Sequence, residues 1–149
     1  MTGRDRAGER GTALIELVWL AILLLVPLLY IVMAVFEVQR ASFGVTAAAR
    51  SAGRAFVLAP GPAVAEERAR AAATVALADQ GIAADLADLA VTCRPDPQDC
   101  LSPGSVVEVR IGYPVRLPLV PSALGADAPS FRVSALHRAP YGTFREDRS

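Results

Sequence analysis

The sequence predicts an α+β fold: a long N-terminal membrane-spanning helix that continues into an exported domain with a second helix and a small antiparallel sheet of about three strands. Three observations predict it. Leu17 to Phe36 form twenty consecutive residues without a formal charge, enough helix to cross a hydrocarbon core of about 30 Å. Apolar residues then recur at three- and four-residue steps as far as Phe56, which is the period of a helix. From Leu89 onward the pattern changes to alternation, which is the period of a strand.

Composition narrows the classes. The chain has 149 residues, of which 53% are hydrophobic, and its mean hydropathy of +0.38 is high for one soluble domain, so the apolar content must be concentrated. Fifteen basic and fifteen acidic residues cancel, which leaves no net electrostatic attraction for nucleic acid. All the basic residues are arginine, which excludes a lysine phosphate-binding loop and lysine Schiff-base chemistry.

The first element is the anchor. As the core helix of a soluble protein it would need apolar partners on all sides, and the later sequence offers too few. Val32-Met33-Ala34 resembles a small-residue cleavage site, but the apolar run exceeds the roughly 7–15 residues of a signal core. Arg4, Arg6 and Arg10 precede the run and Arg40, Arg50 and Arg54 follow it, so counting arginines leaves orientation tied. The cysteine pair described below argues for exporting the larger segment. Pro27 removes a backbone donor, leaving the Leu23 carbonyl without its partner, and is expected to bend or loosen the helix. Trp19 suits one membrane interface.

Past the span, Val38, Ala41, Val45, Ala48, Ala52 and Phe56 fall on one side of a continuing helix, while Gln39, Ser42, Thr46, Arg50 and Arg54 fall on another. The stretch Ala59-Pro60-Gly61-Pro62 stops it, giving a helix from about Thr12 to Leu58, roughly 70 Å long. Glu66-Glu67-Arg68-Ala69-Arg70 opens a second helix that reaches about Gln80 and stops at Gly81. Its residues Val64, Ala71, Val75 and Ala78 are expected to pack on the first helix. Leu89 to Cys93 reads as a strand. Ser105 to Leu117 is a second, with Val107, Val109, Ile111, Tyr113 and Val115 on one face and Glu108, Arg110 and Gly112 on the other. Phe131 to Ala135 supplies a third after a loop from Pro118 to Pro129.

Little here points to catalysis. His137, in the last strand, is the single histidine and has no second with which to build a metal set or relay. Serines lack a nucleophile elbow, and Glu66-Glu67 lies at an exposed helix start. Asp85 and Asp88 read as a solvated face or a cap. No enzyme, cofactor, metal or small-molecule substrate is expected. Cys93 and Cys100 flank a turn-rich segment, Arg94 to Asp99. Free thiols and a disulfide are both open, zinc lacks ligands at this spacing, and an oxidising exported location favours the disulfide.

Glu16 is the residue that a plain anchor does not require. An acidic side chain at a helix start is favoured by the helix dipole and can reach the interface. Its setting suggests more: a polar leader, MTGRDRAGER, then Gly11, then Thr12-Ala13-Leu14-Ile15-Glu16 and the apolar helix. This resembles the class III signal of type IV pilins and pseudopilins. With the Ala47 to Arg54 stretch, it looks like the TadE-like family of tight-adherence pilus proteins over about the first 55 residues. The resemblance implies cleavage by a prepilin peptidase between Gly11 and Thr12, which makes Glu16 the fifth mature residue. It also implies an assembly role for Glu16 in the same helix as Pro27, with the new Thr12 ammonium pairing with a neighbouring subunit's Glu16 carboxylate. The organisation expected is a leader over 1–11, a transmembrane and assembly helix over 12–36 and an exported pilin-like domain over 37–149. Partners would be the membrane, other pilins and pilus assembly proteins. An unprocessed single-pass envelope protein with a small exported binding domain is the alternative.

Overall fold

The elements in chain order are helix α1 (Arg6–Val57), helix α2 (Pro62–Ala78), a 3-10 turn (Ala84–Leu86) and strands β1 (Asp88–Arg94), β2 (Val106–Arg116) and β3 (Ser130–Pro140). This computed structural model describes residues 6–116 and 130–148, with side chains from residue 13 onward. The fold is α+β, with a long apolar N-terminal helix, a second helix and a three-stranded antiparallel sheet. The loop expected from Pro118 to Pro129 lies outside the described residues.

The chain divides into two units, 1–36 and 37–149. In the first, α1 begins at Arg6 and not at Thr12: Ala7, Glu9 and Arg10 are good helix formers, and single glycines at 8 and 11 do not outweigh them. The helix runs through Pro27 without a break. Its large apolar side chains from Leu14 to Phe36 are exposed by 42% to 72%. A core helix would be covered, so that alternative fails, and the segment is long and apolar enough to span a membrane.

In the second unit, α1 buries Ala41, Val45, Ala48, Ala49, Ala52 and Phe56. Alanine lets backbones approach closely, and Gly53 carries this furthest. A Cβ built there would lie 3.0 Å from His137 Cδ2 and 3.4 Å from Ala139 Cβ, so β3 crosses α1 where the helix has no side chain. The chain then reverses. Pro62 opens α2 at its first position, after Gly61 as N-cap. That is earlier than the acidic-rich start expected at Glu66, because the ring that stops one helix has the dihedral that begins the next.

The buried face of α2 is Ala65, Ala69, Ala73 and Leu77, an unbroken i, i+4 stripe. This corrects the expected face: Val64 is half-buried, but Ala71, Val75 and Ala78 are exposed, Val75 by 62%. Leu77 sets the inward side, and the alanines in line with it permit the closest helix approach. The helix ends as Gly81 predicts. Gly81 has φ +65°, its N–H donates to the Ala78 carbonyl at 2.8 Å and the Ile82 N–H reaches back to the Leu77 carbonyl at 3.0 Å. This Schellman closure turns Ile82 into the core at 5% exposure, against Gly44 of α1.

The sheet order is β1-β2-β3, with Val91 opposite Val109 and Val109 opposite His137. Val107, Val109, Ile111 and Val115 are buried on the inner face, as the alternation predicts. β3 runs to Pro140, past Ala135, because residues 136–140 pair with 106–110 of β2. Beyond it, Tyr141 is 1% exposed and its hydroxyl donates to the Glu146 carbonyl at 2.8 Å. Arg145 donates to the Val57 carbonyl at 2.9 Å and Arg148 to the Ala59 carbonyl at 3.2 Å. One guanidinium thus satisfies a carbonyl that the end of α1 leaves without a helical partner, and the other a carbonyl in the turn that follows.

Candidate functional site

Glu16 is the one formal charge between Ala13 and Phe36. It lies immediately before the twenty-residue apolar run, is exposed, and makes no hydrogen bond or ion pair among the described residues. A carboxylate placed in hydrocarbon costs on the order of 3 kcal/mol at mid-span and less toward the ends. The start of α1 at Arg6 puts Glu16 well past the first turn. The helix dipole acts within that turn, so in the intact chain it gives Glu16 little support. Gly11 and Thr12 are both helical in this chain, and their side chains are outside the description. Pro27 is exposed, as are most of its neighbours.

The cysteines are joined. Cys93 and Cys100 form a disulfide with Cα atoms 5.2 Å apart. Cys93, next to last in β1, is on its buried side at 2% exposure, where the alternation of the strand puts its sulfur in the core. The loop it closes carries its own turn: the Gln98 N–H donates to Asp96 Oδ1 at 2.9 Å. Ser105 Oγ donates to the Cys100 carbonyl at 2.6 Å, fixing the return into β2. The bridge therefore staples the connection at the turn end of the β1–β2 hairpin.

On the outer sheet face, β2 carries Glu108 between two arginines. Arg138 Nε donates to Glu108 Oε1 at 2.7 Å, and Arg94 Nε lies 3.7 Å from Oε2. The carboxylate is 11% exposed while the two arginines are 64% and 73% exposed: long side chains from the flanking strands cover a short one from the middle strand. The hydrogen bond from Arg138 holds the Glu108 carboxyl below its usual range; burial opposes this, and the charges of Arg94 and Arg110 add to it. Arg132 pairs with Asp88 across the sheet, over Gly112, where β2 has no side chain to separate them.

A cleft of about 340 Å³ opens between α2 and the sheet, lined by Arg70, Thr74, Leu77, Asp85, Leu89 and Ile111 among others. Arg70 already pairs with Glu66 at 3.0 Å, and the Thr74 hydroxyl donates to the Arg70 carbonyl. His137 stands apart, on the inner face over Gly53. Among the described residues no group of three or more His, Cys, Asp or Glu side chains converges on a metal-sized space.

Sequence reasoning missed the C-terminal strap formed by Tyr141, Arg145 and Arg148. The available signal was the aromatic Tyr141 followed by Gly142, which has φ +89° and so turns the chain back. Comparison with family models, curated proteins and solved structures gives no match.

Proposed function

We propose that the chain is a minor pilin or pseudopilin of the TadE-like kind, taking part in assembly of a tight-adherence type IVb pilus. Its N-terminal helix anchors it in the cytoplasmic membrane, and residues 37–149 lie outside the cytoplasm. It acts as a structural subunit and not as an enzyme. The observation that carries this reading is an outward-facing apolar helix whose one charge, Glu16, stands five residues after Gly11. The disulfide supports export of the second unit, since such bonds persist in oxidising compartments.

Cleavage after Gly11 gives Glu16 a physical role. It creates an ammonium group on Thr12, and a neighbouring subunit's Glu16 pairs with that cation, offsetting the cost of holding a carboxylate in hydrocarbon. Cleavage also brings Glu16 close to a helix N-terminus, where the dipole favours it. The residues already arranged for assembly are then Glu16 and the apolar face that includes Pro27, and the partners are other pilins, the assembly machinery and a prepilin peptidase.

The second reading, an unprocessed single-pass envelope protein with a small exported binding domain, is favoured by one observation: α1 runs unbroken through Gly11 and Thr12. Mass spectrometry of the chain from its native membrane separates the two. An N-terminus at Thr12 is expected. An intact Met1 end moves the assignment to the second reading, and an end near Ala34 makes the apolar run a secretory signal.

A further inference from the structure

Phe144 is fully exposed, at 103% of its reference area, although the turn that bears it is anchored. Tyr141 on one side is buried and holds the Glu146 carbonyl. Arg145 on the other side stacks over the Tyr141 ring, 4.5 Å from its centroid, and holds the Val57 carbonyl. A rigidly presented aromatic loses little conformational entropy when it is buried, which is what an interface anchor needs.

The same unit also carries a recess. Between α1 and the outward side of α2 lies a shallow, mainly apolar groove of about 420 Å³, lined by Ser51, Ala71, Ala72, Val75, Ala76 and Asp79. Val75 is 62% exposed there. Charge marks its two ends. Arg54 follows Ser51 by one turn of α1, and Arg68 precedes Ala71 by one turn of α2. Because α2 returns beside α1, bringing Gln80 next to Gly44, these two cations share one end of the groove, and Asp79 occupies the other. Glu146, exposed, stands two residues from Phe144 in the turn.

We propose that Phe144 is a docking knob for a second copy of this chain, seating in that copy's groove against Val75, with Glu146 facing Arg54 and Arg68. Knob and groove are different patches. The knob is tied to the end of α1 at Val57 and the groove lies beside Ser51, an offset of about 9 Å along the helix. Contacts between unlike patches repeat head to tail and build rows or filaments rather than closed pairs. A seated phenylalanine buries about 150–250 Å², far below the roughly 1,000 Å² of a stable dimer. The contact therefore forms between chains already concentrated in a membrane and not in dilute detergent. It names the contact between exported domains within the assembly reading, and it does not require cleavage after Gly11.

Cysteine cross-linking of the full chain in membranes tests this. The double variant Phe144→Cys, Val75→Cys should give a ladder of oligomers on oxidation. Each single variant alone should stay monomeric, and the two singles mixed should give dimers and nothing larger. Glu146→Arg should slow ladder formation by about two- to fivefold, the worth of an exposed ion pair, and adding Arg54→Glu should restore it. The proposal is overturned if the double variant cross-links no faster than a control pairing Phe144→Cys with Ser134→Cys on the outer sheet face. Dimers from Phe144→Cys alone would also overturn it, since they require a symmetric contact. Both outcomes are read independently of the N-terminus, so a chain ending at Met1 leaves this test intact.

Discussion

At the scale of single residues, the junction of α1, α2 and the sheet depends on Gly44, Gly81 and Ile82. Gly81 holds a positive φ that an L side chain adopts at a cost of about 1 kcal/mol, and the turn it makes delivers Ile82 to the space that Gly44 leaves open. A Cβ on Gly44 would collide with Ile82 Cδ1. Alanine in a helix interior is worth about 1 kcal/mol over glycine, whereas overpacking a filled core costs about 1–3 kcal/mol. Gly44→Ala is therefore expected to lower stability in the native background. In an Ile82→Val background, which lacks Cδ1, the same substitution should raise it. Thermal unfolding of the four chains of this cycle checks the change of sign; destabilisation in both backgrounds would mean that Ile82 is not the obstacle.

At the scale of elements, the β1–β2 hairpin is stapled at its turn end and clamped on its outer face. The loop between Cys93 and Cys100 is short, so the chain-entropy model assigns its closure about 2–3 kcal/mol. Replacing both cysteines with alanine should cost about that much in denaturant unfolding, with the apolar helix over 13–36 unaffected. Glu108 supplies a dependence on pH. Its carboxyl is held below the ordinary value near 4.5 by Arg138, so the folded state binds the proton less readily than the unfolded chain. The stabilisation is complete above the ordinary glutamate range and is lost as pH falls through the lowered value. Glu108→Gln should remove it at neutral pH and flatten the acid limb of a plot of midpoint against pH; an acid limb as steep as the native one would place the titration elsewhere. Much of this unit was legible in sequence. The alternation of β2 named its core residues, because a half-buried strand keeps strict period two. The face of α2 was not legible: alanines surround the helix, so no strong apolar stripe stands out, and the choice fell to Leu77 and to which backbones approach most closely. The far half of β3 was hidden for a related reason. His137, Ala139 and Pro140 have weak strand preference, and their state follows from pairing with Val107 and Val109.

At the scale of the whole chain, the apolar run and Glu16 make opposite demands. The run from Leu17 to Phe36 taken as a whole favours hydrocarbon, and Glu16 opposes it. A helix long and apolar enough to span was legible, because length and composition define it. The purpose of Glu16 was not, because on the reading proposed above it rests on a charge made by cleavage and on a second copy. Removing the carboxylate should make insertion no harder, so Glu16→Ala should stay in the membrane fraction after an alkaline wash while assembling poorly with other pilins. A defect in assembly alone does not identify the partner charge, and a second substitution does. On the proposed reading, Gly11→Ala is expected to block cleavage and so to remove the Thr12 ammonium without touching the carboxylate. If the two groups act as a pair, each substitution destroys the same interaction, and the double variant should assemble no worse than either single one, a strongly non-additive cycle. If Glu16 instead works through the interface or another residue, the losses add. Additive losses, or normal assembly with the leader still attached, would detach Glu16 from the cleavage site and leave the long helix as an anchor alone.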